Sequence, residues 1–408
     1  MLRHLCKFFL IGLASGELVA ENWPAWRGPR GDGSSLEKQA PVHWNAMSNV
    51  IWKAEVHGVG HASPIIWENR VFVFTALTET EERQLLAYDT KDGKLLWRQT
   101  VLKAPLESKH AKNSHASSTH ATDRKRVFAS FLDGREMVVA AHDFSGNQQW
   151  LVRVGEFYSQ FGFCSSPIIS DNKLIVSADH ERGAFITALD PKNGKTLWKT
   201  ERRKGTRGYS TPLGVKVSGR NQIVLAGALS VRGYAARDGR ELWHYDGPTD
   251  SFVATPVYSP TLKLLFVVGG YPEKVIVALN PTGNEKLDAD SVKWRTNKGG
   301  AYVPSPVISG QYLLSISEAG VAHCFDAATG KLFLEERLGV QHASPVAAAG
   351  LVYFLNDEGV THVVKAAPEF NLVAKNELGE PCYASPAVSR GRVFIRGGRQ
   401  LFCIAGEN

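Results

Sequence analysis

Short apolar runs separated by polar turns recur along the whole chain. Residues 65–74 and 388–395, for example, each have the pattern of two strands joined by a polar turn. A larger unit is built on such runs: an apolar stretch ends in Asp, a Gly-containing turn follows, and a short strand closes on Trp. This unit occupies 87–97 and recurs at 141–150, 188–198 and, shortened, 238–243, with drifted copies at 278–294 and 326–334. The pattern predicts one β-structured unit repeated along the chain.

A second landmark, a small residue followed by Pro, opens an apolar strand-like run in phase with the first. Pro suits the first residue of a strand, where no ladder hydrogen bond is lost. Seven copies are present: Ser63-Pro64, Ser166-Pro167, Thr211-Pro212, Thr255-Pro256, Ser305-Pro306, Ser344-Pro345 and Ser385-Pro386. Residues 115–118 align with residues 61–64 and supply an eighth copy that lacks the proline.

The eight copies are spaced by 39 residues (306 to 345) to 54 residues (64 to 118), a period typical of four-stranded propeller blades. One blade cannot bury its own faces, whereas blades stacked radially bury one another. We therefore predict an all-β fold, an eight-bladed β-propeller of four-stranded antiparallel blades. Its repeats begin near residues 61, 115, 164, 209, 253, 303, 342 and 383.

The first segment, residues 1–20, has the features of a secretory signal peptide. Basic residues precede an apolar stretch at 8–14, and the small residue Ala20 lies at a suitable cleavage point. The apolar stretch is too short to span a bilayer as a mature helix, and no other segment is suited to crossing a membrane. We expect export to the periplasm or the extracellular space.

Residues 21–50 form a predicted N-terminal arm that is rich in turn formers and carries Trp23 and Trp26. Two interpretations are open: an extended arm that lies on the propeller surface with both indoles docked, or a hook that binds a partner. Residues 51–408 form the predicted propeller. The strand that ends at Trp52 precedes any complete repeat, so we expect it to close the last blade, whose own copy stops at Ile404, and thereby to remove exposed sheet edges.

Composition supports a globular fold and argues against nucleic-acid binding. Hydrophobic residues make up 43% of the chain and aromatic residues 10%, which is ample for a packed core. The net charge is +7, but the basic residues are scattered, and the short clusters at 124–126 and 202–204 fall in predicted loops. They favour solvated loops over a nucleic-acid or lipid site, and no nucleic-acid-binding signature is present.

Cysteine usage points to buried thiols. Apart from Cys6 in the N-terminal segment, the chain has Cys164, Cys324, Cys382 and Cys403, with no CxxC pair. Small buried hydrophobes are the expected role. A disulfide between Cys382 and Cys403, within the final repeat, is the alternative in an oxidising compartment.

The repeated Ala-x-Asp…Gly-Lys-x-Leu-Trp core resembles the pyrroloquinoline-quinone (PQQ) type of propeller repeat. Residues 26–33 of the arm are similar to those of exported propeller proteins common in planctomycetes. The resemblance covers nearly all of the chain after the N-terminal segment, and it implies the propeller fold. It does not imply one activity, because the family includes calcium-dependent quinoprotein dehydrogenases and also the non-enzymatic propeller lipoprotein of the outer-membrane β-barrel assembly machinery.

The features that the resemblance implies for a quinoprotein dehydrogenase are missing from this sequence. The chain has no adjacent cysteine pair, no catalytic insertions and no CxxCH segment for a c-type haem. It also lacks a hydrolase elbow, a P-loop and an HExxH zinc motif. We therefore assign no catalytic residue and no metal ligand. A cofactor is not identified, and PQQ with calcium is an option that the missing cysteine pair disfavours.

Equivalent positions of the repeats define one candidate site. In a propeller, the residues three positions before each aligned proline form a ring at a mouth of the central channel. Six members of this ring are polar or aromatic and suit small-molecule binding: His61, His115, Cys164, Tyr209, His342 and Tyr383. The remaining two are Val253 and Val303. The alternative is that these side chains pack between blades.

The leading hypothesis is an exported, non-catalytic scaffold that binds a protein or another extracytoplasmic partner through its loops and channel face. A protein partner in the cell envelope is expected, and no nucleic-acid partner. The alternatives are a small quinoprotein-like oxidoreductase that uses the channel-mouth ring, or a module that binds a sugar or a metal.

Overall fold

The computed structural model describes residues 20–202, 208–227 and 229–406. Residues 1–19, which carry nearly all of the predicted signal peptide, lie outside this part of the chain. The described residues form an all-β structure whose strands group into eight separate sheets. The predicted eight-bladed propeller is confirmed.

The first strand, β1 (Val50–Glu55), precedes the first complete blade. Blades one to four follow in chain order, each with its strands running antiparallel from the innermost to the outermost. Blade one consists of β2 (Ile65–Trp67), β3 (Arg70–Leu77), β4 (Glu82–Asp89) and β5 (Leu95–Lys103), and blade two of β6 (Ala121–Thr122), β7 (Arg126–Asp133), β8 (Glu136–Asp143) and β9 (Gln148–Glu156). Blade three consists of β10 (Ile168–Ser170), β11 (Lys173–Ala178), β12 (Phe185–Leu189) and β13 (Thr196–Glu201), and blade four of β14 (Leu213–Val217), β15 (Arg220–Gly227), β16 (Ser230–Ala235) and β17 (Glu241–Asp246).

Blades five to eight repeat this arrangement, with an insertion in blade five. Blade five consists of β18 (Val257–Ser259), β19 (Leu264–Gly269), β20 (Val275–Leu279) and β22 (Val292–Thr296), and its insertion holds β21 (Glu285–Lys286) and a 3-10 turn (Ala289–Ser291). Blade six consists of β23 (Val307–Ser309), β24 (Tyr312–Ile316), β25 (Val321–Asp326) and β26 (Leu332–Arg337), and blade seven of β27 (Val346–Ala348), β28 (Leu351–Leu355), β29 (Val360–Lys365) and β30 (Asn371–Glu377). Blade eight has β31 (Ala387–Ser389), β32 (Arg392–Arg396) and β33 (Gln400–Ala405).

The N-terminal strand closes the ring of blades. Strand β1 pairs antiparallel with β33 and becomes the outermost strand of blade eight, as the sequence predicted for the strand that ends at Trp52. The blade therefore combines three strands from the end of the propeller sequence with one from its beginning. This arrangement covers the edge that β33 would otherwise expose.

The tryptophan of one blade packs against the turn glycine of the next. Trp97 of β5 lies against Gly146 of blade two, where a Cβ atom would come within 2.9 Å of the indole. Its Nε1–H also donates to Phe144 O in the same turn, at 2.9 Å. The same pairing joins Trp52 to Gly93, Trp150 to Gly194, Trp198 to Gly239, and Trp294 to Gly330. Each glycine adopts positive φ, so both the backbone conformation and the indole exclude a side chain there.

Trp243, at the end of the shortened copy, departs from this pattern. It is fully buried in its own blade, where its Nε1–H donates to Gln222 Oε1 at 2.8 Å. The insertion in blade five explains the difference, because β21 pairs in parallel with β17 and extends the fourth sheet to five strands. Leu287, which follows β21, is buried in the hydrophobic cluster that contains Trp243. The inserted segment therefore covers the side of blade four that faces blade five.

A chain of hydroxyl contacts links the entries of neighbouring blades. In six blades, the small residue of the motif donates its backbone N–H to the hydroxyl of the equivalent residue in the next blade, at 2.8–3.0 Å. The described links run from Ser63 to Thr119, Thr119 to Ser166, Ser166 to Thr211, Thr255 to Ser305, Ser305 to Ser344, and Ser344 to Ser385. These buried bonds explain why the small residue of the motif is Ser or Thr.

We predict that Gly146→Ala destabilises the protein more than Gly134→Ala. Both glycines have positive φ, but a Cβ at Gly134 would meet nothing within 4 Å, whereas one at Gly146 meets Trp97. Gly134→Ala should cost about 1 kcal/mol for the backbone alone, and Gly146→Ala about 1–3 kcal/mol more for overpacking. Urea unfolding of both variants measures the difference, and equal losses would contradict the proposed interlock of indole and glycine.

Candidate functional site at the channel mouth

The innermost strands give the propeller two distinct ends. We call the end that carries the connections between blades, just before each innermost strand, the ring face. The opposite end, which carries the turns between the first and second strands of each blade, is the turn face. The predicted ring residues precede the innermost strands and therefore belong to the ring face.

The N-terminal arm lies at the turn face of the channel. Its backbone pairs with the innermost strands of several blades: Trp23 exchanges two hydrogen bonds with Ile66, at 2.9 and 2.8 Å. Thr122 N donates to Pro24 O at 2.9 Å, and Ala347 N to Gly33 O at 2.9 Å. These contacts reach blades one, two and seven, so the arm lies along the innermost strands at the turn face.

Two arm residues extend to the level of the proline motifs. The Nε1–H of Trp26 donates to Thr255 Oγ1 at 3.3 Å. Arg27 is only 2% exposed and donates to the carbonyl oxygens of Pro345, at 2.6 Å, and of Pro306. Burial lowers the pKa of Arg27 to about 10, so the guanidinium is still charged at neutral pH. The arm thus lies on the propeller with Trp23 and Trp26 docked, as in the first interpretation of the sequence, and it reaches from the turn face into the channel.

Three of the predicted ring residues come together at the ring face. The rings of His61 and Tyr383 lie 4.8 Å apart between centroids. His342, from the preceding connection, is held by one carboxylate: its backbone N–H donates to Asp357 Oδ1 at 2.9 Å, and its Nδ1 lies 2.7 Å from Asp357 Oδ2. A carboxylate oxygen accepts a hydrogen bond from Nδ1–H of the imidazole, and in the tautomer that carries this proton Nε2 is a hydrogen-bond acceptor.

The long connection between blades one and two crosses the mouth above these residues. On one side, His110 N and Asn113 Nδ2 donate to Phe161 O, at 3.2 and 2.9 Å, in the connection that leads to blade three. On the other side, Lys112 Nζ lies 3.5 Å from Nε2 of His342, at the entry to blade seven. Blades three and seven are opposite each other in a ring of eight, so the connection spans the mouth.

Positive charge dominates this sector of the mouth. The pKa of His61 is lowered to about 4, first by burial and then by the charges of Lys109, His342 and Arg396; Asp357 acts in the opposite direction. His61 is therefore neutral at physiological pH. Arg396 is 1% exposed, and burial lowers its own pKa to about 10, so it contributes a full charge beneath the mouth.

Cys164 and Tyr209 lie in another sector, at the entries to blades three and four. The Cys164 thiol is 3.6 Å from Tyr209 O, and the Tyr209 hydroxyl is 2.9 Å from Ser159 Oγ. Burial raises the pKa of the Cys164 thiol to about 12, which makes it a poor nucleophile. The structure thus divides the predicted ring residues between two sides of the mouth.

The alignment of His115 with His61 was wrong by two residues. Ser63 N donates to the hydroxyl of Thr119, and Thr119 N to that of Ser166. Thr119 therefore takes the place of the small residue of the motif, and His120 that of the proline. Ser117 is the ring equivalent of His61, and His115 lies off the ring, 3.4 Å from Glu107.

The side chains present do not fit a calcium-bound quinone in the channel. Trp26 and Arg27 contact the proline motifs of blades five, six and seven, and no group of three or more His, Cys, Asp or Glu side chains in the described residues is arranged to hold a metal. All four described cysteines are free thiols, so the alternative of a Cys382–Cys403 disulfide was wrong. Within the same residues, no helix is long and apolar enough to cross a membrane.

Sequence reasoning missed the charged residues of the mouth. Lys109, Lys112 and Asp357 belong to no repeat landmark, because they lie in connections and hairpin loops whose sequences vary between blades. One signal was available for the two lysines. The spacing between the first two proline motifs is the longest in the chain, 56 residues from Ser63 to Thr119, and such an excess indicates an insertion between blades.

Comparisons with known proteins agree with this architecture. The PQQ-repeat family model described as outer membrane protein assembly factor BamB matches residues 42–115, 107–287 and 272–369. The chain belongs to this family. No curated protein sequence matches the chain.

Solved structures show how widely this family fold is shared. BamB from Moraxella catarrhalis is 12% identical with a TM-score of 0.62, covering 88% of this chain and 98% of its own. Quinohemoprotein alcohol dehydrogenase from Comamonas testosteroni is also 12% identical, with a TM-score of 0.66 and coverage of 95% and 81%. At this identity the likeness shows the fold alone, which scaffolds and dehydrogenases both use.

We predict that Arg27→Met destabilises the protein far more than Arg30→Met. Methionine retains much of the stem but leaves the carbonyl oxygens of Pro306 and Pro345 without their donor, at a cost of about 3 kcal/mol. Arg30 in the same arm pairs with Glu21 at a site where its side chain is 32% exposed, so its loss should cost about 1 kcal/mol or less. Urea unfolding compares the two variants, and equal midpoints would show that the arm is not seated in the channel.

His120 should make the protein sensitive to acid. Burial lowers the pKa of its imidazole to about 4, whereas a histidine in the unfolded protein has a pKa of about 6.5. Between about pH 6.5 and about pH 4, His120 binds a proton in the unfolded state but not in the folded state. Acidification therefore favours unfolding: the free energy of unfolding is unaffected by His120 above about pH 6.5 and falls as the pH is lowered towards about 4. His120→Leu should flatten the profile of unfolding free energy against pH by about 3 kcal/mol.

Urea unfolding from neutral pH to about pH 4 measures this effect. The control is His57→Gln, because the His57 side chain is 58% exposed and its replacement should leave the slope of the profile unchanged. Parallel profiles for His120→Leu and the native protein would refute the assignment.

Proposed function

We propose that this protein is an exported, non-catalytic propeller scaffold that binds a protein partner of the cell envelope through its ring face. The observation that carries the proposal is the arm inside the channel. Trp26 and Arg27 contact the proline motifs of blades five, six and seven, where a cofactor surrounded by the blades would lie. What the propeller presents to solvent is therefore its loops.

Exposed apolar side chains favour the ring face as the binding surface. Val59, Val340 and Tyr383 are 42%, 51% and 39% exposed and lie in three consecutive connections, those that enter blades one, seven and eight. Tyr271, in a hairpin loop on the same face, is 63% exposed. These four are among the twelve large apolar side chains that are exposed in the described residues, and exposed apolar groups that lie close together are typical of interaction sites.

The family match and the N-terminal segment support the location and the kind of partner. The matched family model is described as an outer membrane assembly factor, which is a role in protein assembly and not in catalysis. The basic and apolar pattern of residues 1–20 is typical of exported proteins. Together they favour a partner outside the cytoplasm.

We predict that Val340→Glu abolishes partner capture while Leu197→Glu does not. Both side chains are about half exposed, but Leu197 lies on the outermost strand of blade three, away from the ring face. Chemical cross-linking of the tagged protein in intact cells, followed by quantification of the cross-linked species, should show a loss of about tenfold or more for Val340→Glu, because a buried charge at the centre of an interface costs several kcal/mol.

Equal capture by the two variants would overturn the ring face as the binding surface. The non-catalytic part of the proposal has a separate test. Purified protein is titrated with pyrroloquinoline quinone and calcium in the presence of a redox dye and simple alcohols. Dye reduction above that of the quinone alone would contradict a scaffold role.

A further inference from the structure

The ring face carries two lysines that lack an acidic partner. We define the mouth cluster as Lys109, Lys112, His61 and His342, with Asp357 behind His342. In the described part of the chain, neither lysine ammonium lies within ion-pair distance of a carboxylate: Lys112 Nζ contacts Nε2 of His342 at 3.5 Å, and Lys109 Nζ contacts His110 O at 3.4 Å. By contrast, Lys274 on the same face is paired with Glu318 at 2.7 Å.

Asp357, the acidic residue of the cluster, contacts His342 through both of its carboxylate oxygens. One oxygen of Asp357 accepts from the backbone N–H of His342, and the other lies 2.7 Å from its Nδ1. This arrangement orients the Nε2 atom of His342 toward Lys112, and each carboxylate oxygen of Asp357 contacts His342. The ammonium of Lys112, which is exposed, therefore offers hydrogen-bond donors to a group from outside the protein.

Apolar surface surrounds these charges. The ring of Tyr383 packs at a tilt against that of His61, and Val340 lies two residues before His342. Both side chains are substantially exposed, at 39% and 51%. A ligand that satisfies this surface has negative charge and apolar groups side by side, which is the character of an acidic peptide with interspersed hydrophobic residues.

We propose that the mouth cluster binds an acidic, hydrophobic segment of the partner protein, with a carboxylate beside Lys112 and an apolar side chain against Tyr383 and Val340. This assignment rests on the proposed function and adds the chemistry of the partner. Burial is the main cause of the lowered pKa of His61, and the charges of Lys109 and Arg396 lower it further, in keeping with a positively charged mouth. A phosphate ligand is less suited, since the cluster offers lysine point charges and no exposed arginine fork.

The test uses fluorescence anisotropy with the full-length protein and two short labelled peptides. One alternates Asp and Leu, and the other replaces each Asp by the uncharged isostere Asn. The protein variants are Lys112→Met, which keeps much of the aliphatic stem, and Lys91→Met as the control, since Lys91 is exposed in a turn on the opposite face. Circular dichroism of each variant checks that the fold is retained.

We expect the Asp peptide to bind the native protein about tenfold more tightly than the Asn peptide, with an affinity that falls as salt rises. Lys112→Met should weaken the Asp peptide about five- to tenfold and leave the Asn peptide unchanged. Lys91→Met should change neither. Lys112→Arg, which keeps the charge, should restore most of the affinity.

Three outcomes would overturn the inference: no binding of the Asp peptide, equal binding of the two peptides, or equal effects of the Lys112 and Lys91 variants. Displacement of the Asp peptide by inorganic phosphate at concentrations where acetate has no effect would also overturn it, in favour of a phosphate ligand. These results are separable from the scaffold proposal. If the peptides fail but Val340→Glu still abolishes cross-linking, the docking face stands and only the acidic character of the partner is refuted.

Discussion

The packing of a tryptophan from one blade on a turn glycine of the next is the contact on which the propeller depends. Each indole, carried on an outermost strand, covers the turn of the neighbouring blade and donates its Nε1–H to a backbone carbonyl there, as Trp97 does to Phe144. Two constraints require glycine at this position: its φ is positive, and a Cβ atom would overlap the indole. Apolar burial and one directed hydrogen bond thus set the position of each blade relative to the next.

Closure of the ring uses the same contact. Strand β1 brings Trp52 to the outside of blade eight, where its indole lies against Gly93 of blade one and donates to Thr90 O. The residues just before β1 are the arm, so the strand that closes the ring also anchors the segment that reaches into the channel. The position of the arm is therefore a consequence of closure, and it leaves the ring face as the end of the propeller that is open to other molecules.

The candidate site was predictable in part. Counting three residues back from each proline correctly brought His61, His342 and Tyr383 together, because equivalent positions of a repeat converge at the axis. The same count failed for His115, because His120 takes the place of the proline in blade two and the nearby sequence does not show this. The alignment of blade two with its neighbours becomes clear only from the hydrogen bonds of Thr119 with Ser63 and Ser166. The lysines and Asp357 were not predictable, since they lie in connections that differ from blade to blade.

The number of blades, the strands within them and the closing role of the N-terminal strand could all be predicted from the amino-acid sequence. These properties follow from alternation of apolar residues and from turn chemistry, which act between residues close in the chain and repeat with each copy. The tertiary structure decided which glycine each tryptophan meets, where the arm lies, and which charges share the mouth. Lys112 and His342 are 230 residues apart, and no local pattern relates them; they meet because closing the ring brings distant connections to one axis.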